Sequence, residues 1–169
     1  MFSWARGLFA TDPLYRIRED GSGLQKAIPD ALTYFYDVSP GGKAVAVLRG
    51  GTIEVYRTEG GPPIAVSTVC AAAGGENRGT TPPCASWSPD GKFLYLNDRR
   101  ADQIYAVPIP AGRILPELPP EGIGSAEQAA ALPGAWVIRE RYAFLGAGPS
   151  TYPFFRVAVQ RNIYGIAVP

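Results

Sequence analysis

The sequence predicts an all-β fold assembled from repeated strand-and-turn units, with one short helix. Three observations predict it. The first is a repeat: Val38-Ser39-Pro40-Gly41-Gly42-Lys43 matches Trp87-Ser88-Pro89-Asp90-Gly91-Lys92 at an offset of 49 residues, and each copy runs into an alternating apolar stretch. The second is a recurring strand that carries tyrosine: Leu14-Tyr15-Arg16-Ile17, Ile53-Glu54-Val55-Tyr56, Ile104-Tyr105-Ala106-Val107 and Ile163-Tyr164-Gly165-Ile166. The third is composition. The chain has 20 Gly and 17 Pro in 169 residues, they fall between short strands, and a single segment looks helical.

Strands are expected near 14–18, 32–38, 44–48, 52–57, 63–69, 84–87, 93–97, 103–108, 135–139, 141–145, 154–159 and 163–168. In the second copy of the repeat, Ala85-Ser86-Trp87 is expected to pair with 93–96 around a tight turn. The turn residues are Ser88, Pro89, Asp90 and Gly91. Proline presets φ, Asp90 supplies a side-chain acceptor, and Gly91 tolerates positive φ. The first copy, with Gly41-Gly42, keeps the turn and loses the aspartate bond. Arg49-Gly50-Gly51 makes a short link to 52–56, whereas Asn97-Asp98-Arg99-Arg100-Ala101-Asp102 makes a longer polar loop. Ile114-Leu115-Pro116-Glu117-Leu118-Pro119-Pro120 reads as an extended connector. The helix is expected near 125–132, with Ser125 as N-cap, alanines in its body and Pro133-Gly134 as its stop.

Repeats of roughly 40–50 residues made only of strand and turn are the signature of propeller blades. The segment Ala85-Ser86-Trp87-Ser88-Pro89-Asp90-Gly91-Lys92-Phe93-Leu94-Tyr95-Leu96 resembles the WD40-like repeats (PD40) of TolB-type β-propellers, and Gln103-Ile104-Tyr105-Ala106-Val107-Pro108 continues the pattern. The copy at 38–57 matches less closely, and 14–18 and 136–168 match in the final strand alone. The C-terminal 160–169 is similar to the last strand of propellers appended to bacterial eukaryotic-like serine/threonine kinases and winged-helix regulators. The resemblance implies a β-propeller fragment of about three to four blades. It implies one partial propeller over 1–169, with units near 1–24, 30–69, 84–120 and 133–169. As a function it implies a non-catalytic interaction or sensing module, the C-terminal part of a larger regulatory protein. A propeller serving a serine hydrolase or peptidase, or a TolB-like exported factor, is the alternative. Closed propellers have about four to eight blades, so three accounts stand. The chain is part of a longer protein, or copies associate through open blade edges, or the domain is a compact non-propeller β fold. Phe2-Ser3-Trp4, directly after Met1, resembles the start of a blade strand and favours the first.

Composition bounds the function. Hydrophobic residues are 46%, charged residues 18% and the net charge is +1, so a disordered charged tail is excluded and no nucleic-acid partner is expected. The chain has no His, which excludes a Ser-His-Asp triad and a His-based metal site. It has no Gly-rich loop with its lysine, no His-Arg-Asp loop and no Gly-x-Ser-x-Gly elbow. No catalytic residue, cofactor or metal ligand is therefore expected, and the chain is read as no enzyme. No run of about 18 apolar residues exists, so no membrane span is expected. The N-terminal apolar stretch is broken by Arg6 and Gly7 and is no signal peptide. The chain as written is cytoplasmic, and extracytoplasmic if its true start lies upstream.

Two readings of Cys70 and Cys84 stand open: reduced thiols, or a disulfide closing the Gly-, Thr- and Pro-rich loop 71–83. Closing such a loop is worth on the order of 3 kcal/mol in the chain-entropy account. Trp87, Phe93, Tyr95, Tyr105 and Tyr164 read as packing residues. Arg139, Glu140 and Arg141 read as a charged hairpin turn. Loops carry binding, and Asp98, Arg99, Arg100 and Asp102 form the candidate contact surface for a protein or small ligand. A solvated loop is the plain alternative.

Overall fold

The computed structural model describes residues 2–6, 14–28, 34–69, 83–98, 100–140, 143–146 and 148–154. The described strands form three antiparallel sheets, each a simple meander. The first sheet holds β1 (Phe2–Arg6), β2 (Leu14–Arg18) and β3 (Gln25–Ile28). The central sheet holds β4 (Tyr34–Val38), β5 (Ala44–Arg49), β6 (Thr52–Arg57) and β7 (Ile64–Ser67). The third holds β8 (Ala85–Trp87), β9 (Phe93–Asp98), β10 (Gln103–Pro108) and β11 (Trp136–Ile138), with α1 (Ala126–Ala131) between the last two.

The expected strands at 14–18, 44–48, 52–57, 93–97 and 103–108 are present within a residue at each end. Those at 63–69, 84–87 and 135–139 are shorter at their ends, and the described part of that at 32–38, Tyr34–Val38, is strand throughout. Two strands lie outside the expected ranges, the first of them where Phe2-Ser3-Trp4 resembles a strand start. β1 pairs with β2 along its whole length, from Phe2↔Arg18 to Arg6↔Leu14. β3 buries Ile28 and exposes Gln25 and Lys26, so it has too little apolar alternation to be read as a strand. In the stretch expected as 141–145, Ala143 makes an isolated antiparallel bridge to Phe154. Cys70, Arg99, Arg141 and Tyr164, the strand expected at 163–168, and the one expected at 154–159 beyond Phe154 lie outside the described residues.

The sequence repeat is a repeat of hydrogen bonds. The Ser39 N–H donates to Ala44 O (2.9 Å), its Oγ accepts from the Ala44 N–H (2.8 Å), and its O accepts from the Gly42 N–H (2.8 Å). Ser88 does the same: its N–H donates to Phe93 O (2.9 Å), its Oγ accepts from the Phe93 N–H (3.0 Å), and its O accepts from the Gly91 N–H (2.9 Å). Both serines are buried, so their hydroxyls replace water for amides that no solvent reaches. The second turn adds what the first lacks. Asp90 Oδ1 accepts from Ser88 Oγ (2.7 Å) and from the Lys92 N–H (3.1 Å), where Gly41 has no side chain.

Strand alternation then sends each sheet's two faces to different neighbours. Val45, Val47 and Tyr56 of the central sheet pack on Leu14 and Ile28 of the first. Ala44, Ala46, Leu48, Ile53 and Val55 face the other way and meet Trp87, Leu94, Leu96, Tyr105 and Val107 of the third sheet. Tyr95, Ile104 and Ala106, on the far face of the third sheet, join Ile138 and Ala143. Counted from the shared turn, Ala44 and Ala46 correspond to Phe93 and Tyr95, and Val45 and Val47 to Leu94 and Leu96. The sheets therefore pack head to tail: one face of each meets the opposite face of the next.

The proline-rich connector closes this core. The Trp87 indole N–H donates to Ile114 O (2.8 Å), and Leu115 is buried among the core residues. Farther on, the Ile123 N–H donates to Val66 O (2.8 Å) and Ile123 O accepts from the Thr68 N–H (3.0 Å). This parallel bridge covers the edge of β7, which would otherwise stand open to pairing. Gly122 makes the approach possible. Its φ is +77°, and a Cβ there would lie 2.9 Å from Val66 O. The helix follows where expected. Ser125 Oγ accepts from the Gln128 N–H (3.3 Å), Gln128 Oε1 accepts from the Gly124 N–H (2.7 Å), and Ala129 is buried in the core.

Candidate functional site

Four chain segments meet at one end of the central and third sheets. The β5–β6 hairpin turns over Gly50 and Gly51, both at positive φ (56° and 87°), the geometry of a two-residue hairpin turn. It is short and leaves space above it. The β9–β10 loop is longer and is organised by Asp98. That side chain is buried, and its Oδ1 accepts from the Arg100 N–H (2.9 Å) and the Ala101 N–H (3.2 Å). A short carboxylate bonding the amides two and three residues on is a turn device. Asp102 closes the loop at φ +52°, the one non-glycine at positive φ among the described residues. Beyond β7, Ser67 Oγ donates to Ile123 O (3.1 Å) and accepts from the Val69 N–H (3.1 Å). This pins Thr68 and Val69 beside the start of α1.

These segments enclose a cleft of about 450 Å3. Asp98, Arg100, Thr68 and Ser125 supply its polar lining, and Val69 and Ala126 part of its apolar lining. On β10, outside the lining, the Tyr105 hydroxyl donates to Gln103 Oε1 (3.1 Å). Burial raises the Tyr105 pKa, and the Asp98 charge raises it further, so the phenol stays protonated and a donor. The recess thus offers a carboxylate, a guanidinium and two hydroxyls. That set suits a small polar ligand, or a peptide turn, with donors and acceptors of its own.

Asp98 and Arg100 of the expected contact loop both line the cleft. Asp102 is exposed in the same loop and is not part of the lining. Ser88, Pro89, Asp90 and Gly91 form the β8–β9 turn at the other end of β9 and contribute nothing to the cleft. There the Ser88 hydroxyl bond, followed by the Lys92 amide, holds the Asp90 pKa below its ordinary value. Cys84 is fully buried and disulfide-bonded; Cys70 is the chain's other cysteine. Sequence reasoning missed Thr68, Val69 and Gly51 as lining residues. Thr68 and Val69 read as the end of a strand and Gly51 as a link, and no local signal joins them to a loop tens of residues away. Among the described residues no group of three His, Cys, Asp or Glu is placed to hold a metal ion. No described helix is long and apolar enough to cross a membrane. No known protein family matches the chain, and no curated protein matches it.

Proposed function

We propose that the chain is a non-catalytic interaction module, a set of adjacent blades of a partial β-propeller. It takes a partner protein or small polar ligand in the cleft under the 98–102 loop. The observation that carries this reading is the cleft itself, where Asp98 and Arg100 converge with Thr68 and Ser125. The head-to-tail stacking of equivalent meanders supports the propeller reading, because blades succeed one another in one sense around an axis. Binding on loops held by a rigid β scaffold is the usual division of labour. In this reading the module senses or scaffolds as the C-terminal part of a larger regulatory protein.

The test is a screen of polar metabolites and short peptides by ligand-observed NMR with the full chain. A saturable ligand is expected, lost in Arg100→Glu and weakened in Thr68→Val. Lys92→Glu, at the other end of the third sheet, should leave it unchanged. A ligand bound equally by all of these proteins removes the cleft as the site.

A further inference from the structure

We propose that a groove at the opposite end of the central sheet docks an extended acidic peptide segment. The groove, about 710 Å3, lies where β5 begins and β6 ends, so it is separate from the cleft and does not depend on it. Lys43 and Arg57 stand at its sheet side. Arg57 pairs with Ala44, and the Thr58 N–H donates to Lys43 O (3.0 Å), so the two basic residues occupy adjoining backbone positions and both line the groove. Both side chains are exposed, and among the described residues neither forms an ion pair. Glu59 is the one unpaired carboxylate of the lining, because Glu117 is engaged by Arg113 at 3.6 Å. The free charge of the groove is therefore positive, and a segment richer in carboxylates than in cations complements it.

The shape of the groove selects an extended chain. Its floor is apolar, with Ile64, Leu115 and Leu118, and its far wall is the connector with Pro116, Pro119 and Pro120. Those prolines have no N–H, so this wall offers a partner no amides there for strand addition. An occupant is held by apolar side chains on the floor and acidic ones at Lys43 and Arg57. The Trp87–Ile114 bond and the buried Leu115 anchor the wall, so the groove exists before a partner arrives and little ordering is lost on binding. The lining has no aromatic ring on which bases could stack, which favours a peptide over single-stranded nucleic acid.

The test is fluorescence anisotropy with a fluorescein-labelled peptide of repeated Glu-Leu-Glu-Pro, titrated with the full chain at low and physiological salt. Saturable binding that weakens as salt rises is expected. Lys43→Glu with Arg57→Glu should weaken it by about tenfold or more. The milder pair Lys43→Gln with Arg57→Gln should weaken it less, and Arg100→Glu should leave it unchanged. The matching Lys-Leu-Lys-Pro peptide should not bind. The proposal is overturned by the absence of saturation, by equal binding to the charge-reversed protein, or by equal loss in Arg100→Glu. Tighter binding of oligo-dT at the same two residues also overturns it.

Discussion

Asp37 Oδ2 accepts the backbone N–H of Trp87 at 2.8 Å, joining the first strand of the central sheet to the first strand of the third. The other oxygen of the same carboxylate accepts from the Val38 N–H at 2.8 Å. The pairing of β4 with β5 shifts register between Phe35 and Asp37, beside this residue. β8 pairs with β9 alone, so its outer edge has no strand partner among the described residues. A carboxylate from the neighbouring sheet takes the place of a strand there, and one polar side chain sets how the two sheets meet.

This contact predicts a pH dependence. Burial raises the Asp37 pKa, and the two amide bonds, which favour the charged form, offset only part of that. A carboxyl whose folded pKa exceeds its unfolded value favours folding most when it is protonated. Its contribution is full below the unfolded pKa of about 3.9 and is lost as pH rises through the folded value. Asp37→Asn keeps an acceptor for Trp87 and cannot ionise. Its melting temperature relative to the parent should therefore climb between acidic and neutral pH. Asp37→Ala leaves the Trp87 amide without its acceptor and should cost about 1–3 kcal/mol at acidic pH, a cost that shrinks toward neutral pH as the parent's own carboxyl ionises. Thermal melts of the three proteins across that range decide it, and parallel curves for parent and Asp37→Asn would remove the ionisation argument.

Gly122→Ala should destabilise the protein by about 1–2 kcal/mol from the left-handed backbone alone. The 2.9 Å approach of the new Cβ to Val66 O adds to this, because the neighbour is backbone and cannot swing aside. Gly41→Ala is the control. It shares the positive φ (+82°) and has nothing within 4 Å, so only the conformational part, about 1–2 kcal/mol, should appear. Urea unfolding of both variants measures the difference, which is the strength of the clash at β7.

The two repeat turns should differ in proportion to their bonds. Ser88→Ala removes the acceptor of the Phe93 N–H and the donor to Asp90, whereas Ser39→Ala removes the acceptor of the Ala44 N–H. Each leaves a buried or partly buried amide unsatisfied, at about 1–3 kcal/mol, with Ser88 the costlier. Asp90, whose folded pKa is lowered, contributes stability above its unfolded pKa and loses it as pH falls. Acid titration of the Asp90 carboxyl by NMR should show that shift in the parent and a smaller one in Ser88→Ala.

The cysteines can be read by mass. Cys84 is disulfide-bonded and the chain has two cysteines, so alkylation of the denatured, unreduced protein should add nothing, and alkylation after reduction should add two groups. Loss of the cross-link should lower stability by on the order of 3 kcal/mol for a loop of about 15 residues. Two additions without reductant would show the thiols free.

The parts legible from sequence are those whose causes are local. The Ser-Pro-x-Gly-Lys turns span a few residues, so proline, glycine and a serine hydroxyl suffice to form them. The Ser125 cap and the Pro133-Gly134 stop bracket α1 in the same way. Asp98 and Arg100 were readable as a polar loop because their own neighbours make it one. β3 was not readable, since its pairing with β2 supplies what its exposed Gln25 and Lys26 do not. Asp37 was not readable either. Its acceptor role exists only because Trp87, fifty residues on, arrives beside it.

Turn positions, strand alternation and the helix cap follow from short-range sterics and hydrogen bonding, and these are written in the order of the residues. Which face meets which sheet is not. Val45 and Ala46 are both apolar, burial rewards either neighbour, and the hydrophobic effect carries no direction. Packing resolves it, sending Val45 to the first sheet and Ala46 to the third. The same packing places Thr68 and Ser125 beside Asp98, and Lys43 and Arg57 beside the proline wall. A cleft and a groove at opposite ends of the central sheet are thus products of assembly, because each is lined by segments that meet only when the sheets stack.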